Sequence, residues 1–221
     1  MHLVLFSLLV CCACVLVSAG ETDKCVNGVC LAFKDYGLPA KKTFSSSTDG
    51  KESKELSLVS AGMRRKNLVV FEVDVYTVGV YVSKTKDDEL KKTAKGKDLA
   101  SEFEKSDGTT NVAINLSFVR DVETAKVVDA IVEAMSDTGD EFIKALKQFS
   151  DILVAAIGSE GMKKNGVLSL VFHSQNSLSV SLNDNFAGMV SNNDIRLKLL
   201  DIYLGEKAVA PEVVKIAKAR Y

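Results

Sequence analysis

The sequence predicts an α+β fold built around an antiparallel sheet. Segments with strand character come in runs, and segments with helical periodicity are grouped between these runs. Two strand segments, 167–173 and 177–182, are separated only by Ser174-Gln175-Asn176, which predicts an antiparallel hairpin. Parallel neighbours would require a long crossover connection, and the sequence leaves no room for one between these two segments.

The individual elements follow from local composition. Residues 68–82 carry the strongest strand signal because Val, Phe, Tyr and Thr crowd this segment, which is predicted as one bent strand or as two. A helix is predicted at 140–157 because its apolar residues share one face and Gly158 is a suitable stop. The remaining predictions are strands at 56–60 and 112–118 and helices at 87–94, 98–105, 121–135, 193–204 and 211–220.

Composition and missing motifs exclude several classes of function. The chain has 221 residues, enough for one sizeable domain, and its formal net charge is −1 without a long basic block. This balance argues against nucleic-acid binding. The sequence has no HExxH motif, paired CxxC motifs or Gly-Lys-Ser/Thr phosphate loop, so we expect neither a metal nor another cofactor. His173 lies in a predicted strand, and its spacing supports no catalytic triad.

The N-terminal segment 1–19 is predicted to be a cleaved signal peptide. It contains an apolar run without Lys, Arg, Asp or Glu and ends in small residues. Its roughly 15 apolar residues fall short of the ~20 that span a bilayer, and an uncleaved N-terminal anchor is the alternative. Residues 20–55 are predicted to be an arm or linker, and 56–221 the domain. We therefore expect the secretory pathway or the extracellular space, with routing to an organelle left open and no transmembrane span in the mature chain.

Cleavage of this signal would leave two of the five cysteines, Cys25 and Cys30. An oxidising lumen favours a disulfide that closes the short loop between them. A redox-active pair is the alternative, although such pairs usually have two intervening residues. A zinc site is disfavoured because two thiols without a nearby histidine do not supply four ligands.

One polar cluster suggests a binding site. Arg64 and Arg65 are predicted to lie between the first strand and the long strand segment, and Tyr76 lies within that segment beside Thr77. A guanidinium can hold a carboxylate or a phenolate through paired hydrogen bonds, and a tyrosine hydroxyl can add a donor. The alternative is that both arginines are exposed loop charges and Tyr76 belongs to the core.

Several motifs in order resemble the chalcone isomerase family. Segment 58–64 (Leu-Val-Ser-Ala-Gly-Met-Arg) is similar to the family's small-Gly-x-Arg turn, and segment 75–82 (Val-Tyr-Thr-Val-Gly-Val-Tyr-Val) to the strand that follows. Segment 118–122 (Phe-Val-Arg-Asp-Val) resembles a strand-to-helix junction of members outside the plant isomerases. Segment 201–211, which begins Asp-Ile-Tyr-Leu-Gly-Glu, is similar to the C-terminal signature. The resemblance runs from about residue 56 to 219.

The resemblance implies a chalcone isomerase-like open-faced sandwich, in which helices cover one face of the antiparallel sheet above a ligand cleft. It also implies site residues. Arg64 matches the arginine that favours a deprotonated phenol, and Tyr76 falls where the isomerases have an active-site threonine. Thr77 is one residue away and would face the other side of the strand. Ile202 falls on a second hydroxyl position, and Lys126 matches a lysine of the enzyme.

Three functional hypotheses follow from these matches. The arginine is retained and the carbonyl-polarising hydroxyl groups are not, which resembles the noncatalytic fatty-acid-binding members of the family. We therefore expect a small apolar carboxylate ligand, or a phenolic one, bound without catalysis. The alternatives are an isomerase of the intramolecular lyase type that uses Arg64 and Tyr76, and a scaffold or accessory protein with a filled cleft.

Overall fold

The computed structural model describes residues 25–26, 29–30, 36–45, 53–68, 70–105, 111–135, 139–173 and 176–221. The predicted signal peptide, 1–19, lies outside the described residues. The main sheet has seven antiparallel strands in the order β3 to β9, so each strand pairs with its neighbour in sequence. Its strands are β3 Lys41–Ser45, β4 Ser53–Leu68, β5 Phe71–Val82, β6 Val112–Phe118, β7 Val167–Phe172, β8 Ser177–Leu182 and β9 Asn185–Ser191.

The helices are inserted between strands of this sheet or follow its last strand. Two lie between β5 and β6, two between β6 and β7, and two after β9. They are α1 Lys84–Thr93, α2 Leu99–Glu104, α3 Thr124–Val132, α4 Asp140–Ile157, α5 Asn193–Leu204 and α6 Pro211–Arg220, with a 3₁₀ helix at Glu133–Met135. Within the described residues, no helix has both the length and the apolar composition needed to cross a bilayer.

Strand alternation separates two hydrophobic layers. In β6, Ile114 and Leu116 join the large core that contains residues of all six helices. Ala113, whose side chain points the other way, belongs to a smaller cluster on the opposite face with Tyr81 and Leu38. Successive side chains of a strand point to opposite faces, so this division confirms a sheet covered on one face by helices. The predicted α+β class is therefore correct.

Two strand boundaries differ from the sequence prediction. Strand β4 runs over Ser53–Leu68 and is much longer than the predicted strand 56–60. Strand β3, Lys41–Ser45, pairs with the start of β4 and thus places part of the predicted arm, 20–55, inside the sheet. The misleading signal was the polar composition of β3 and of both ends of β4, which lie at exposed positions.

Strand β9 and the start of α3 were also missed. The side chains of β9 are mostly exposed or half-buried, so the strand lacks the alternation that reveals a core-facing strand. A Cβ at Gly188 would approach the Ile152 side chain to 2.8 Å, which shows how closely α4 packs on this strand.

Asp121 does not cap α3, because its carboxylate accepts a hydrogen bond from the Lys164 N–H at 2.7 Å. The helix begins at Thr124 instead.

The C-terminus is fastened to α1 by a partly buried ion pair. Arg220 Nε and Nη2 donate to the two carboxylate oxygens of Asp87, each at 2.9 Å, and the Tyr221 hydroxyl donates to Asp87 Oδ1 at 2.9 Å. Burial of the carboxyl opposes its ionisation, but hydrogen bonds from Arg220 and Lys91 outweigh burial and hold the pKa of Asp87 at about 2. The ionised carboxylate thus stabilises the docked C-terminus.

We predict that Asp87 makes folding stability depend on acid pH. Its folded-state pKa of about 2 lies below the ordinary value of 3.8. Its contribution, roughly 2 kcal/mol, is therefore present above about pH 4 and is lost as the pH falls toward 2. Asp87→Asn should lower the free energy of unfolding at neutral pH and flatten its decline in acid, as measured by urea denaturation at several pH values.

Asp88→Asn is the matched control. Asp88 pairs with Lys84 on the exposed side of the same helix, where an ion pair contributes little. If the free energy of unfolding declines equally with falling pH in the wild type and in Asp87→Asn, the decline cannot be assigned to Asp87.

Candidate functional site

Arg64 and Tyr76 are direct cross-strand partners in β4 and β5. Tyr76 faces the helices and packs its ring on Phe118, with 5.1 Å between ring centroids. Directly opposed residues of an antiparallel pair share one face, so the half-buried Arg64 lies on the helix-covered side. The prediction that Arg64 and Arg65 lie between two strands is wrong, because β4 continues through both residues before the hairpin turns.

The start of α6 is docked on β4 beside Arg64. A Cβ at Gly62 would come within 2.8 Å of the Val213 backbone nitrogen, so only glycine permits this approach. Ser60 Oγ donates to the Val213 carbonyl at 2.6 Å. Glu212, in the first turn of α6, accepts from the Met63 N–H at 2.9 Å. These contacts give the small-Gly-x-Arg segment a structural role, which is to seat the last helix on the sheet.

Docking of α6 brings backbone carbonyls to the Arg64 guanidinium. Nη1 donates to the Arg65 carbonyl at 3.0 Å and to the Val209 carbonyl at 3.3 Å. The Val209 N–H in turn donates to the Ile202 carbonyl at 2.9 Å, which links this loop to the end of α5. No carboxylate in the described part of the chain forms an ion pair with Arg64. Within this part of the chain, the guanidinium is therefore held by neutral backbone acceptors.

Tyr203 of α5 completes the cluster and was not among the predicted site residues. Its side chain is fully buried, and within the described residues its hydroxyl lies beside the Tyr76 hydroxyl without forming a hydrogen bond of good geometry. Burial raises the pKa of Tyr203 well above its usual value, the nearby Tyr76 hydroxyl raises it further, and the Arg64 charge opposes both. Burial likewise raises the pKa of Tyr76, while Tyr203 and Arg64 act in the other direction. Both hydroxyls are thus protonated at neutral pH and can donate hydrogen bonds.

The structure brings some predicted residues together and separates others. Arg64 and Tyr76 meet, and Ile202 lies in the core next to Tyr203. Thr77 pairs with Met63 and Ser117 on the opposite face, so it cannot contact the same ligand atoms. Lys126 is exposed on α3 and pairs with Glu123 at 2.8 Å, away from the buried cluster. Tyr203, the neighbour of Ile202, is the residue of this segment whose hydroxyl lies beside Tyr76 and Arg64.

The predicted disulfide residues lie in a separate two-stranded pair. Strands β1, Cys25–Val26, and β2, Val29–Cys30, are antiparallel, and their backbone register sets Cys25 opposite Cys30. Directly opposed strand residues have Cα separations that a disulfide can span. The disulfide itself stays a prediction.

A cavity of about 450 Å³ lies at another place, near the loop between α1 and α2. Leu99 and Leu204 form apolar parts of its wall, and Lys95, Lys97 and Lys218 lie on its polar side. It does not include the Arg64, Tyr76 or Tyr203 side chains. Around those three residues, the region between the helices and the sheet is occupied by buried apolar side chains of the main core.

The fold and the cluster together define an α+β protein with a cation and two phenolic hydroxyls where its helices meet the sheet. The family model described as chalcone isomerase-like matches residues 41–215, most of the chain. The chain therefore belongs to the chalcone isomerase-like family.

Among solved structures, the chain is similar to a fatty-acid binding protein of Arabidopsis thaliana. The TM-score is 0.59 at 18% sequence identity, and the match covers 80% of this chain and 96% of that one. At this identity the similarity shows a shared fold. A search of curated proteins finds no match.

We predict that Gly62→Ala destabilises the protein by about 1–3 kcal/mol, because the added methyl group collides with the backbone of Val213. Urea denaturation measures the change. Gly139→Ala is the control, since a Cβ there meets nothing within 4 Å. This control should cost less than about 1 kcal/mol. Comparable losses in the two variants would show that close docking of α6 at Gly62 is not what stabilises this region.

Proposed function

We propose that the protein binds a fatty acid or a similar apolar carboxylate without catalysing a reaction. The carboxylate is held by the Arg64 guanidinium and by the hydroxyls of Tyr76 and Tyr203. The hydrocarbon part extends between the helices and the sheet. Binding takes place in the secretory pathway, to which the predicted signal peptide would direct the chain.

The observation that carries this proposal is the buried hydroxyl of Tyr203, which lies beside the Tyr76 hydroxyl and forms no hydrogen bond of good geometry within the described residues. A buried polar group without a partner typically costs about 1–3 kcal/mol, so such groups are rare unless they serve a purpose. Here the hydroxyl is fully buried near the Tyr76 hydroxyl and the Arg64 charge. A carboxylate oxygen could accept hydrogen bonds from both tyrosines while its charge is compensated by Arg64.

The surroundings of the cluster suit a long apolar tail. Side chains such as Phe118, Ile202 and Leu116 belong to the same continuous core as Tyr76 and Tyr203. Each methylene group buried there contributes about 0.8 kcal/mol, so the tail would supply most of the affinity and the cation its orientation. Entry of the tail requires the apolar side chains to move apart, as packed interiors contain few voids larger than a water molecule.

Family membership supports binding as the activity. The similar Arabidopsis protein is described as a fatty-acid binding protein, and its fold is the one seen here. The threonine of the isomerases is replaced by Tyr76, and the second hydroxyl position of the resemblance falls on Ile202. Removing a preorganised donor of this kind typically costs an enzyme about 3 kcal/mol of transition-state stabilisation. This comparison favours a binding protein over an isomerase.

We predict that Tyr203→Phe affects binding much more than stability. The hydroxyl forms no hydrogen bond of good geometry within the described residues, so its removal should change the free energy of unfolding by less than about 1 kcal/mol. Affinity for palmitate should fall about tenfold or more, because a hydrogen bond to a charged group contributes about 1.5–3 kcal/mol. Displacement of a fluorescent fatty acid measures affinity, and urea denaturation measures stability.

Tyr81→Phe is the matched control on the other face of the sheet. The Tyr81 hydroxyl donates to the Pro39 carbonyl at 3.0 Å, so its loss should cost about 1 kcal/mol of stability and leave affinity unchanged. The proposal fails if the wild type binds no fatty acid, or if both variants bind it equally well. Ring closure of a chalcone that is lost in Arg64→Leu would instead favour the isomerase.

A further inference from the structure

The hairpin that joins β4 to β5 projects beyond the rest of the sheet. Strand β6 pairs with β5 only from Tyr76 to Val82, so the paired residues from Arg65 and Asp74 outward have no third strand beside them. Four residue pairs, ending at Leu68 and Phe71, make up this projection. At ~3.4 Å per residue, it extends roughly 14 Å.

The tip of the hairpin is apolar and exposed. Segment 68–71 reads Leu-Val-Val-Phe without a polar residue. Val70 is 84% exposed, Phe71 58% and Leu68 45%. The other large hydrophobic side chains exposed in the described residues, Ile143, Val154 and Phe186, do not lie in such a run.

The sequence of this tip is unusual for a tight turn. Leu68 is paired with Phe71, which leaves a two-residue connection, and both residues are valine. Such connections favour Asn-Gly or Gly-containing pairs, while β-branched residues fit them poorly. Exposing Leu68, Val70 and Phe71 also gives no folding energy. A departure from local sequence preference that brings no gain in stability is expected at functional positions.

The shape of the tip selects among the surfaces that could cover it. A stable protein interface buries about 800 Å² on each partner, and a convex tip of four residues offers far less. A bilayer requires no such matching surface. Lys66 and Glu72 lie one to two residues behind the tip and are exposed. Only the turn and the Leu68–Phe71 pair can therefore enter an apolar phase, a depth of roughly 7 Å that fits the headgroup–acyl boundary.

We propose that the exposed side chains of this hairpin tip, Leu68, Val70 and Phe71, insert into the surface of a lipid bilayer. Arg64 and Tyr76 form the pair directly behind the projecting part, so an inserted tip would hold the proposed carboxylate clamp beside the membrane. The insertion depends on the tip alone and would occur in protein that carries no ligand.

The absence of tryptophan from the chain permits a direct test. Phe71→Trp introduces a single reporter at the tip, and Phe186→Trp introduces one at another exposed aromatic position, on β9. Ligand-free protein is mixed with phosphatidylcholine vesicles. Emission of Trp at 71 should shift to shorter wavelength and be quenched by brominated lipid. Trp at 186 should show neither change.

A second substitution tests whether the apolar tip drives the interaction. Adding Val70→Asp to Phe71→Trp should weaken vesicle binding at least about tenfold, because it puts a charge where the bilayer requires an apolar group. An unchanged spectrum of Trp at 71 with excess vesicles would overturn the proposal, as would equal binding with Val70→Asp. A short-wavelength emission already present without vesicles, and unaffected by them, would show that a second copy covers the tip. Failure of fatty-acid binding would not alter these readouts.

Discussion

The close contact between α6 and β4 at Gly62 is the constraint on which the candidate site depends. There is no space for a side chain at this position, so the helix backbone rests directly on the strand. Hydrogen bonds from Ser60 and Met63 fix the helix in place. Because α6 is held there, the loop before it presents the Val209 carbonyl to Arg64 and connects to the end of α5. The same contact therefore orients the cation and draws Tyr203 toward it.

The site combines groups that are satisfied with one that is not. The Arg64 guanidinium has backbone carbonyls as acceptors, which hold its position without neutralising its charge. Tyr81, on the opposite face, donates to a backbone carbonyl and is a structural tyrosine. Tyr203 is buried more completely than a hydroxyl without a partner would normally be. The two tyrosines therefore differ in that the Tyr81 hydroxyl supports the fold, whereas the Tyr203 hydroxyl is the one assigned to a ligand in the proposed function.

Hydrophobic periodicity was sufficient to predict an element that has one clearly buried face. Strand β6 alternates apolar and small residues, and α4 repeats apolar residues at helical spacing, so both were predicted with accurate bounds. Strand β9 has no such contrast because it is largely exposed, and β3 was obscured by its polar composition. The pairing of Arg64 with Tyr76 depends on where the hairpin turns, and valines at the turn conceal that point. Tyr203 was missed because the motif match assigned the hydroxyl position to the adjacent Ile202, and both residues are buried in the main core.

The sequential order of the sheet has a consequence for the newly made chain. Strands β4 to β9 each pair with the strand before them, so the sheet can assemble as synthesis proceeds from the N-terminus. The contacts that seat α6 on β4 join Ser60 to Val213, 153 positions apart. These contacts must wait until α6 has been synthesised and has left the ribosome. A nascent chain thus possesses its sheet and its projecting hairpin before the last helix takes its place beside Arg64, so the candidate site is completed late in synthesis.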